Sequence, residues 1–139
     1  MFPPRIQEVV VPKLRTNSTK PDRRMIELQL PFPPSANRLW RRSGTHMHKS
    51  KTYTDWLKEA GWQVIAQKPG GIKGPYKISI NAVRPDKRRR DLDNLLKPIS
   101  DVLVSVGVVA DDCHAEMISM RWVTAGEGVT VRVEKAGLE

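Results

Sequence analysis

Apolar residues change their spacing along this chain, and the change restricts the fold more than any other feature of the sequence. In MIELQL (25–30) and YKISINAV (76–83) they alternate with polar residues, which is the period of a strand with one buried face. Elsewhere they recur every three or four positions, as on one face of an amphipathic helix. The two helical sets are Tyr53, Trp56, Leu57, Ala60 and Val64, and Leu92, Leu95, Leu96, Ile99, Leu103 and Val106.

Cap and breaker residues predict where these helices begin and end. Thr52 and Asp55 have the spacing of a capping box, and the KPGG sequence that follows ends the first helix. Gly107 is a suitable stop for the second helix. Pro98 lies inside the second pattern, where an interior proline removes a hydrogen bond and costs about 3 kcal/mol. The second helix is therefore either kinked there or regular only from about Lys97.

Two further strand patterns, EMISMRWV and VTVRVE, are joined by TAGEG and predict an antiparallel hairpin. The predicted order is β-α-β-α-β-β, which indicates an α+β fold with a mixed sheet of about four strands and two main helices. A chain of 139 residues suits one small domain, which we place at residues 25–139. Residues 1–24 contain four prolines and six Lys or Arg against two acids, which predicts a basic, mostly irregular arm, although residues 9–11 could add an edge strand.

The formal net charge of +9 favours a polyanionic partner, nucleic acid before membrane. The single cysteine, Cys113, excludes an internal disulfide, and we interpret it as a small buried residue. No apolar run approaches the roughly 20 residues that span a bilayer. The N-terminal residues lack the apolar core of a signal peptide. We therefore expect a cytoplasmic protein with no membrane partner.

A run of basic residues meets two acids in RPDKRRRDLDNLLK, residues 84–97. Four consecutive cations at 87–90 directly precede Asp91 and Asp93. A surface that only binds DNA should lack carboxylates, because they repel phosphate. A metal nuclease needs both charges, since Mg²⁺ takes carboxylate ligands while basic side chains hold the DNA backbone. In such a site Lys97, one helical turn along, could orient the attacking water or neutralise the phosphorane.

A further acidic pair, Asp111 and Asp112, follows the second helix and could join this site only through tertiary folding. A purely structural alternative makes Asp91 a helix cap, Asp93 a first-turn acid, and the later pair a turn. Spacing alone favours this alternative, because an Asp-x-Asp beside basic residues is a frequent accident.

A resemblance to a known family favours the metal nuclease over the structural alternative. RRRDLDNLLK, followed about fourteen residues later by DD, closely resembles the RusA family of Holliday junction resolvases, small phage- and prophage-associated endonucleases. LPFPPSANRLWR resembles the N-terminal strand and the PPS-N-R loop of that family. The resemblance covers roughly residues 25–135 and leaves out the N-terminal arm.

The resemblance implies a metal site made by aspartates. Asp91 and Asp93 match the paired metal-binding catalytic aspartates of the family, and Asp112 matches the third. Asp111 would replace Asp112 if the register shifted by one residue. The implied cofactor is Mg²⁺, with Mn²⁺ as a possible substitute.

The same resemblance implies roles for neighbouring residues and for partners. Lys97 matches a lysine needed for catalysis, Arg90 matches a basic residue that contacts DNA, and Asn94 would buttress the carboxylates. The implied partners are a four-way DNA junction and a second copy of the chain, since two like sites can each nick one strand.

A second basic segment, residues 37–51, surrounds Trp40 and is predicted to be a loop that contacts DNA. Trp40 could stack on unpaired bases or lie in the core, and we interpret His46 and His48 as incidental. Two other functions stay open: a non-catalytic nucleic-acid-binding protein, and a metal nuclease that cuts flaps or other branched DNA. The predicted DNA contacts are Lys87, Arg88, Arg89, Arg90, Arg38, Arg41 and Arg42.

Overall fold

The structure, a computed structural model, describes residues 12, 22–35 and 38–137. The irregular arm and the edge strand suggested at 9–11 lie almost wholly outside the described residues. The elements in chain order are β1 (Met25–Leu30), β2 (Trp40–Ser43), β3 (His46–Lys49), α1 (Lys51–Ala66), β4 (Tyr76–Val83), a 3₁₀ turn (Leu92–Leu95), α2 (Leu96–Val106), a second 3₁₀ turn (Asp112–His114), β5 (Ala115–Val123) and β6 (Val129–Lys135).

Four of the strands form one mixed sheet in the order β1-β6-β4-β5. β4 pairs with β5 in parallel and with β6 in antiparallel orientation, and β6 also pairs antiparallel with β1. The predicted α+β class, the mixed four-stranded sheet and the two main helices are confirmed. β2 and β3 form a separate two-stranded sheet.

The predicted hairpin of the last two strands is wrong, because β4 lies between β5 and β6. Val129, Val131 and Val133 of β6 are fully buried, and this strand lies between β1 and β4. β5 is largely exposed along its length and occupies the sheet edge. Connection length and alternation fit a hairpin equally well, so these local signals do not specify the pairing that the sheet has.

α1 begins at Lys51, slightly earlier than predicted, because Ser50 is its N-cap. The Ser50 side chain accepts a hydrogen bond of 3.1 Å from the backbone N–H of Tyr53. The capping box between Thr52 and Asp55 is therefore not formed. The apolar face predicted for this helix is confirmed, since all five of its members are buried.

α2 shows how Pro98 is accommodated. The 3₁₀ turn Leu92–Leu95 comes first, so the regular helix starts at Leu96 and Pro98 is its third residue. The first N–H groups of a helix lack intrahelical acceptors, so a proline there loses little. The helix ends at Gly107, which has a left-handed φ of 94°. The late regular start is one of the two alternatives that the sequence left open, and the glycine stop is as predicted.

The hydrophobic core lies between the two helices and one face of the main sheet, with buried residues from β1, β4, β6, α1 and α2. The opposite face of the sheet carries polar side chains, among them Glu27, Ser79, Asn81, Arg121 and Arg132. None of the described helices is both long and apolar enough to cross a membrane. α2 is the crossover between the parallel strands β4 and β5, and both acidic segments flank it.

Candidate active site

The first acidic segment is held by the 3₁₀ turn that precedes α2. Leu95 is buried and Leu92 packs partly against the core, so the turn is anchored by its apolar residues. Asp91 and Asp93 are left exposed on the same short segment. Asp91 has an extended backbone, and its side chain makes no capping hydrogen bond to a described residue. The structural alternative of a capping role for Asp91 therefore has no support from its contacts.

Asp91 and Asp93 form no ion pair with any residue that the structure describes, although cations surround them in sequence. Two nearby acids behave differently. Asp86 is paired with Arg90 at 2.9 Å, and Asp101 is paired with Lys97 at 3.0 Å. The carboxylates of Asp91 and Asp93 are thus available to bind a cation, whereas Asp86 and Asp101 are already paired with basic side chains.

Arg90 is fixed by contacts on two sides. Its guanidinium donates to Asp86 at 2.9 Å and lies over the ring of Phe32 at 5.4 Å from the centroid. The hydrogen bond from Arg90, followed by that from the backbone N–H of Arg88, holds the pKa of Asp86 below its usual value. Sequence reasoning missed Asp86, although its spacing of four residues from Arg90 was a possible signal.

A cleft of about 320 Å³ joins this segment to the proline-rich loop after β1. The structure thus places the PPS sequence and two residues of the DLDN sequence, Asp91 and Asn94, around one cavity, whereas Asp93 does not line it. Arg90 and Asp91 both contribute to its wall, so a cation and a free carboxylate share the cleft. The lining residues are Phe32, Pro33, Pro34, Ser35, Arg89, Arg90, Asp91, Asn94 and Leu95.

The second acidic segment is a 3₁₀ turn in front of β5. Asp111 caps this turn, since its side chain accepts a 3.0 Å hydrogen bond from the backbone N–H of Cys113. That bond holds the pKa of Asp111 below its usual value. Asp112 has no equivalent capping role. Cys113 is exposed, so its interpretation as a buried residue is wrong; the short turn leaves its side chain at the surface.

Lys97 is paired with Asp101 and is also attracted by Asp112 of the second acidic segment. Its ammonium is 3.0 Å from the carboxylate of Asp101, four residues further along the helix. The hydrogen bond to Asp101 is the main cause that raises the pKa of Lys97, and attraction to Asp112 adds to it. Lys97 therefore stays protonated at neutral pH and lies within the field of Asp112.

The four predicted ligands do not form a closed metal site. Among the described residues, no three Asp, Glu, His or Cys side chains converge so that they could hold one ion. Neither Asp111 nor Asp112 lines the cleft that contains Asp91. The donor chemistry fits a hard divalent cation, because these are carboxylates and those of Asp91 and Asp93 are exposed and unpaired. One ion bound by three of these carboxylates requires a change in their arrangement.

The basic segment predicted to be a loop is instead a β ribbon. β2 and β3 pair in register, with Trp40 opposite Lys49 and Arg42 opposite Met47. Only Gly44 has a positive φ in the two-residue turn, as in a type II′ hairpin. We call residues 38–51 the basic ribbon; the segment contains five Lys or Arg and no acid.

Hydrogen bonds between its two ends close the base of the ribbon. The backbone N–H of Ser50 donates to the carbonyl of Leu39 at 2.9 Å, and the Ser50 hydroxyl donates to the carbonyl of Arg38. Trp40 packs edge-on against Tyr53 with centroids 6.3 Å apart, yet 40% of it is exposed. Trp40 is therefore neither buried in the core nor fully free to stack on bases.

Sequence comparison identifies the family of this chain. The profile of the family described as "Endodeoxyribonuclease RusA" matches residues 31–134, which contain every predicted site residue. The crossover junction endodeoxyribonuclease of Enterobacteria phage HK97 is 41% identical over 85 residues, which cover 60% of this chain and 70% of that protein. The equivalent proteins of Aquifex aeolicus and Escherichia coli strain K12 are 32% and 34% identical, covering 76% and 81% of this chain and 85% and 96% of theirs. The chain therefore belongs to the RusA family of endodeoxyribonucleases.

Proposed function

We propose that this protein is an endodeoxyribonuclease that resolves four-way DNA junctions by paired symmetric nicks, in DNA recombination and repair. The observation that carries the proposal is the match to relatives described as crossover junction endodeoxyribonucleases over most of the chain. The net charge of +9 supports a polyanionic substrate. We place the protein in the cytoplasm of a bacterial cell, whether bacterial or phage-encoded, where such DNA is found.

The proposed cofactor is Mg²⁺, which Mn²⁺ could replace, held by Asp91 and Asp93 together with Asp112. The capping bond of Asp111 supports Asp112 over Asp111 as the third ligand, because Asp111 is already used in the turn. A divalent cation bound there supplies an activated water and stabilises charge on the leaving oxygen. The chain itself would supply the position of the DNA and a fixed positive charge beside the phosphate.

That fixed charge is proposed to be Lys97. Its raised pKa favours an ammonium at neutral pH, so it suits stabilisation of a phosphoryl oxygen better than proton abstraction. Lys87, Arg88 and Arg89 are exposed beside Asp91 and would hold the DNA backbone in register. Asn94 lines the same cleft and is proposed to support the site.

The basic ribbon is proposed as the second DNA contact, through Arg38, Arg41 and Arg42. These side chains are exposed, and the ribbon carries no acid that would repel phosphate. Contacts to phosphate fix the position of DNA without reading its sequence, which suits an enzyme selective for branched shape. We further propose that two subunits act together on the two-fold symmetric junction.

The test is a cleavage assay with purified protein on junction, flap, nicked and linear DNA, with and without Mg²⁺. We expect cleavage of the junction only, and only with the metal. Asp93→Asn should reduce cleavage by at least about 100-fold, given that even supporting residues of metal sites contribute 10- to 100-fold. The same variant should keep or tighten junction binding, because it removes repulsion of phosphate.

Asp55→Asn is the matched control, since it removes one exposed acid on α1 outside the proposed site. It should cut like the unmodified protein. Metal-independent junction binding without cleavage would favour the non-catalytic binder instead. Preferential cutting of flaps would favour the other nuclease specificity. Wild-type cleavage by Asp93→Asn would exclude the proposed site.

A further inference from the structure

Three side chains form a continuous contact chain from the core to the predicted site. Tyr53 on α1 is fully buried, and its hydroxyl donates to Oδ2 of Asp101 on α2. The other oxygen of the same carboxylate, Oδ1, accepts from Nζ of Lys97 at 3.0 Å. The Asp101 carboxylate therefore has a different partner on each oxygen, one from the core and one from the surface.

This arrangement restricts Asp101 more strongly than a surface ion pair would. The side chain of Asp101 is 17% exposed, and a largely buried carboxylate is stable only when its oxygens are satisfied. Lys51 and Asp55 have the same spacing of four residues on α1, but their side chains are 92% and 67% exposed and their charged atoms are 3.9 Å apart. Asp101 is thus anchored by Tyr53, whereas Asp55 has no buried partner among the described residues.

An anchored carboxylate fixes the cation that it binds. Lys97 is 55% exposed, and a free lysine side chain there would sample many rotamers. Its contact with Asp101 keeps the ammonium on the side of α2 where it feels the charge of Asp112. We propose that Asp101 and Tyr53 are positioning residues, which hold the Lys97 ammonium for its action on the scissile phosphate.

This inference rests on the proposed function, because it assumes that Lys97 acts in cleavage. Asp101 and Tyr53 do not themselves contact DNA in the proposal; they act through Lys97. Removing either should therefore lower kcat and leave substrate binding nearly unchanged. The effect should also vanish when Lys97 itself is absent, since there is then nothing to position.

Tyr53→Phe is the sharpest variant that the chain offers. It removes the hydroxyl that donates to Asp101 but keeps the ring, which packs against Trp40 and lies 5.8 Å from Nζ of Lys49. Packing at the base of the basic ribbon is therefore preserved. Asp101→Asn is the complementary variant, because it keeps the size of the side chain and removes its charge.

The experiment measures kcat and KM for junction cleavage in Asp101→Asn, Tyr53→Phe, Lys97→Ala and the double variants with Lys97→Ala. We expect Asp101→Asn to lower kcat about tenfold or more and Tyr53→Phe to lower it less, with KM changed less than about twofold. Neither substitution should lower kcat further in the Lys97→Ala background. Asp55→Asn removes the charge of Asp55 from its ion pair with Lys51, which has no buried partner among the residues that the structure describes, and should have the unmodified kcat. Thermal melting checks that each variant is folded.

A second readout does not depend on cleavage. The NMR signal of the Lys97 side-chain ammonium should be visible in the unmodified protein, because the bond to Asp101 slows its exchange with water. It should disappear in Asp101→Asn and weaken in Tyr53→Phe. A signal that is the same in all three proteins would overturn the inference even if the protein cut no DNA.

The kinetic outcomes separate this inference from the proposed function. Equal loss of kcat from Asp101→Asn with and without Lys97, or unmodified kcat in Lys97→Ala, would mean that Asp101 does not act through Lys97. Junction cleavage that depends on metal and on Asp93 would still support the proposed function in that case. Unimpaired cleavage by Asp93→Asn would instead exclude the proposed site, whatever Asp101 does.

Discussion

At the scale of single residues, the carboxylates near α2 differ in what already binds them. Asp86 and Asp101 are paired with Arg90 and Lys97, and Asp111 caps a turn. Asp91 and Asp93 have none of these contacts with described residues. A charged side chain that stays unpaired beside several cations contributes little to folding. The carboxylates of Asp91 and Asp93 are therefore available for the cation that we propose.

Asp111 and Asp112, which precede β5, are predicted to have different roles, the first in stability and the second in cleavage. Asp111→Ala removes the acceptor for the backbone N–H of Cys113, so it should lower the melting temperature. Asp112→Asn should leave the melting temperature nearly unchanged and reduce junction cleavage by at least about 100-fold. Thermal melting and initial cleavage rates of the two variants provide the measurement. The reverse pattern, with cleavage lost only in Asp111→Ala, would exchange their proposed roles.

At the scale of secondary structure, the features that depend only on neighbouring residues could be predicted from the sequence. The alternation in β1 and β4, the apolar face of α1 and the stop at Gly107 all depend on neighbouring residues, and all were predicted correctly. The pairing of β6 with β4 rather than with β5 joins strands that are distant in sequence, so no local pattern specifies it.

The candidate site shows the same division between local and tertiary signals. Motif resemblance selected Asp91, Asp93, Lys97 and Asp112, but it could not show that Lys97 pairs with Asp101 or that Tyr53 anchors this pair. Tyr53 and Asp101 are 48 residues apart in sequence, so no local pattern connects them. The ribbon was also missed, because its charged strands lack the apolar alternation that identifies a half-buried strand.

The ribbon supports a prediction about binding rather than turnover. Arg41 and Arg42 are consecutive in a strand, so their side chains point to opposite faces of the ribbon. Replacing both with Ala should weaken junction binding and reduce the slope of log affinity against log salt by about 2, with little change in kcat. Fluorescence anisotropy at several salt concentrations measures this slope. The single variants show how much each face contributes to the slope.

A matched control removes the same charge from the other side of the domain. Arg121 and Arg132 lie on the polar face of the main sheet, opposite the helices, where they bond to Asn81 and Glu27. Replacing both with Ala should change the salt slope much less than the ribbon pair does. Equal slopes for the two double variants would mean that net charge, and not the ribbon, accounts for binding.

At the scale of the whole molecule, the proposal requires two sites on one junction, because a single nick leaves the branches connected. A supercoiled plasmid with an extruded cruciform distinguishes paired nicks from a single nick. Paired nicks within one binding event convert it directly to linear DNA, whereas a single nick relaxes it to an open circle. We therefore expect linear product from the unmodified protein, and a mass in solution twice that of one chain.

Mixed dimers make this prediction decisive. A dimer that combines one unmodified subunit with one Asp93→Asn subunit, isolated through two different affinity tags, has one intact proposed site. It should give open circles and almost no linear DNA, because the second strand would have no catalytic carboxylate in reach. A mixed dimer with Asp55→Asn should still give linear product. Linear DNA formed as fast by the Asp93→Asn mixed dimer would show that one subunit cuts both strands, and the symmetric mechanism would then have to be abandoned.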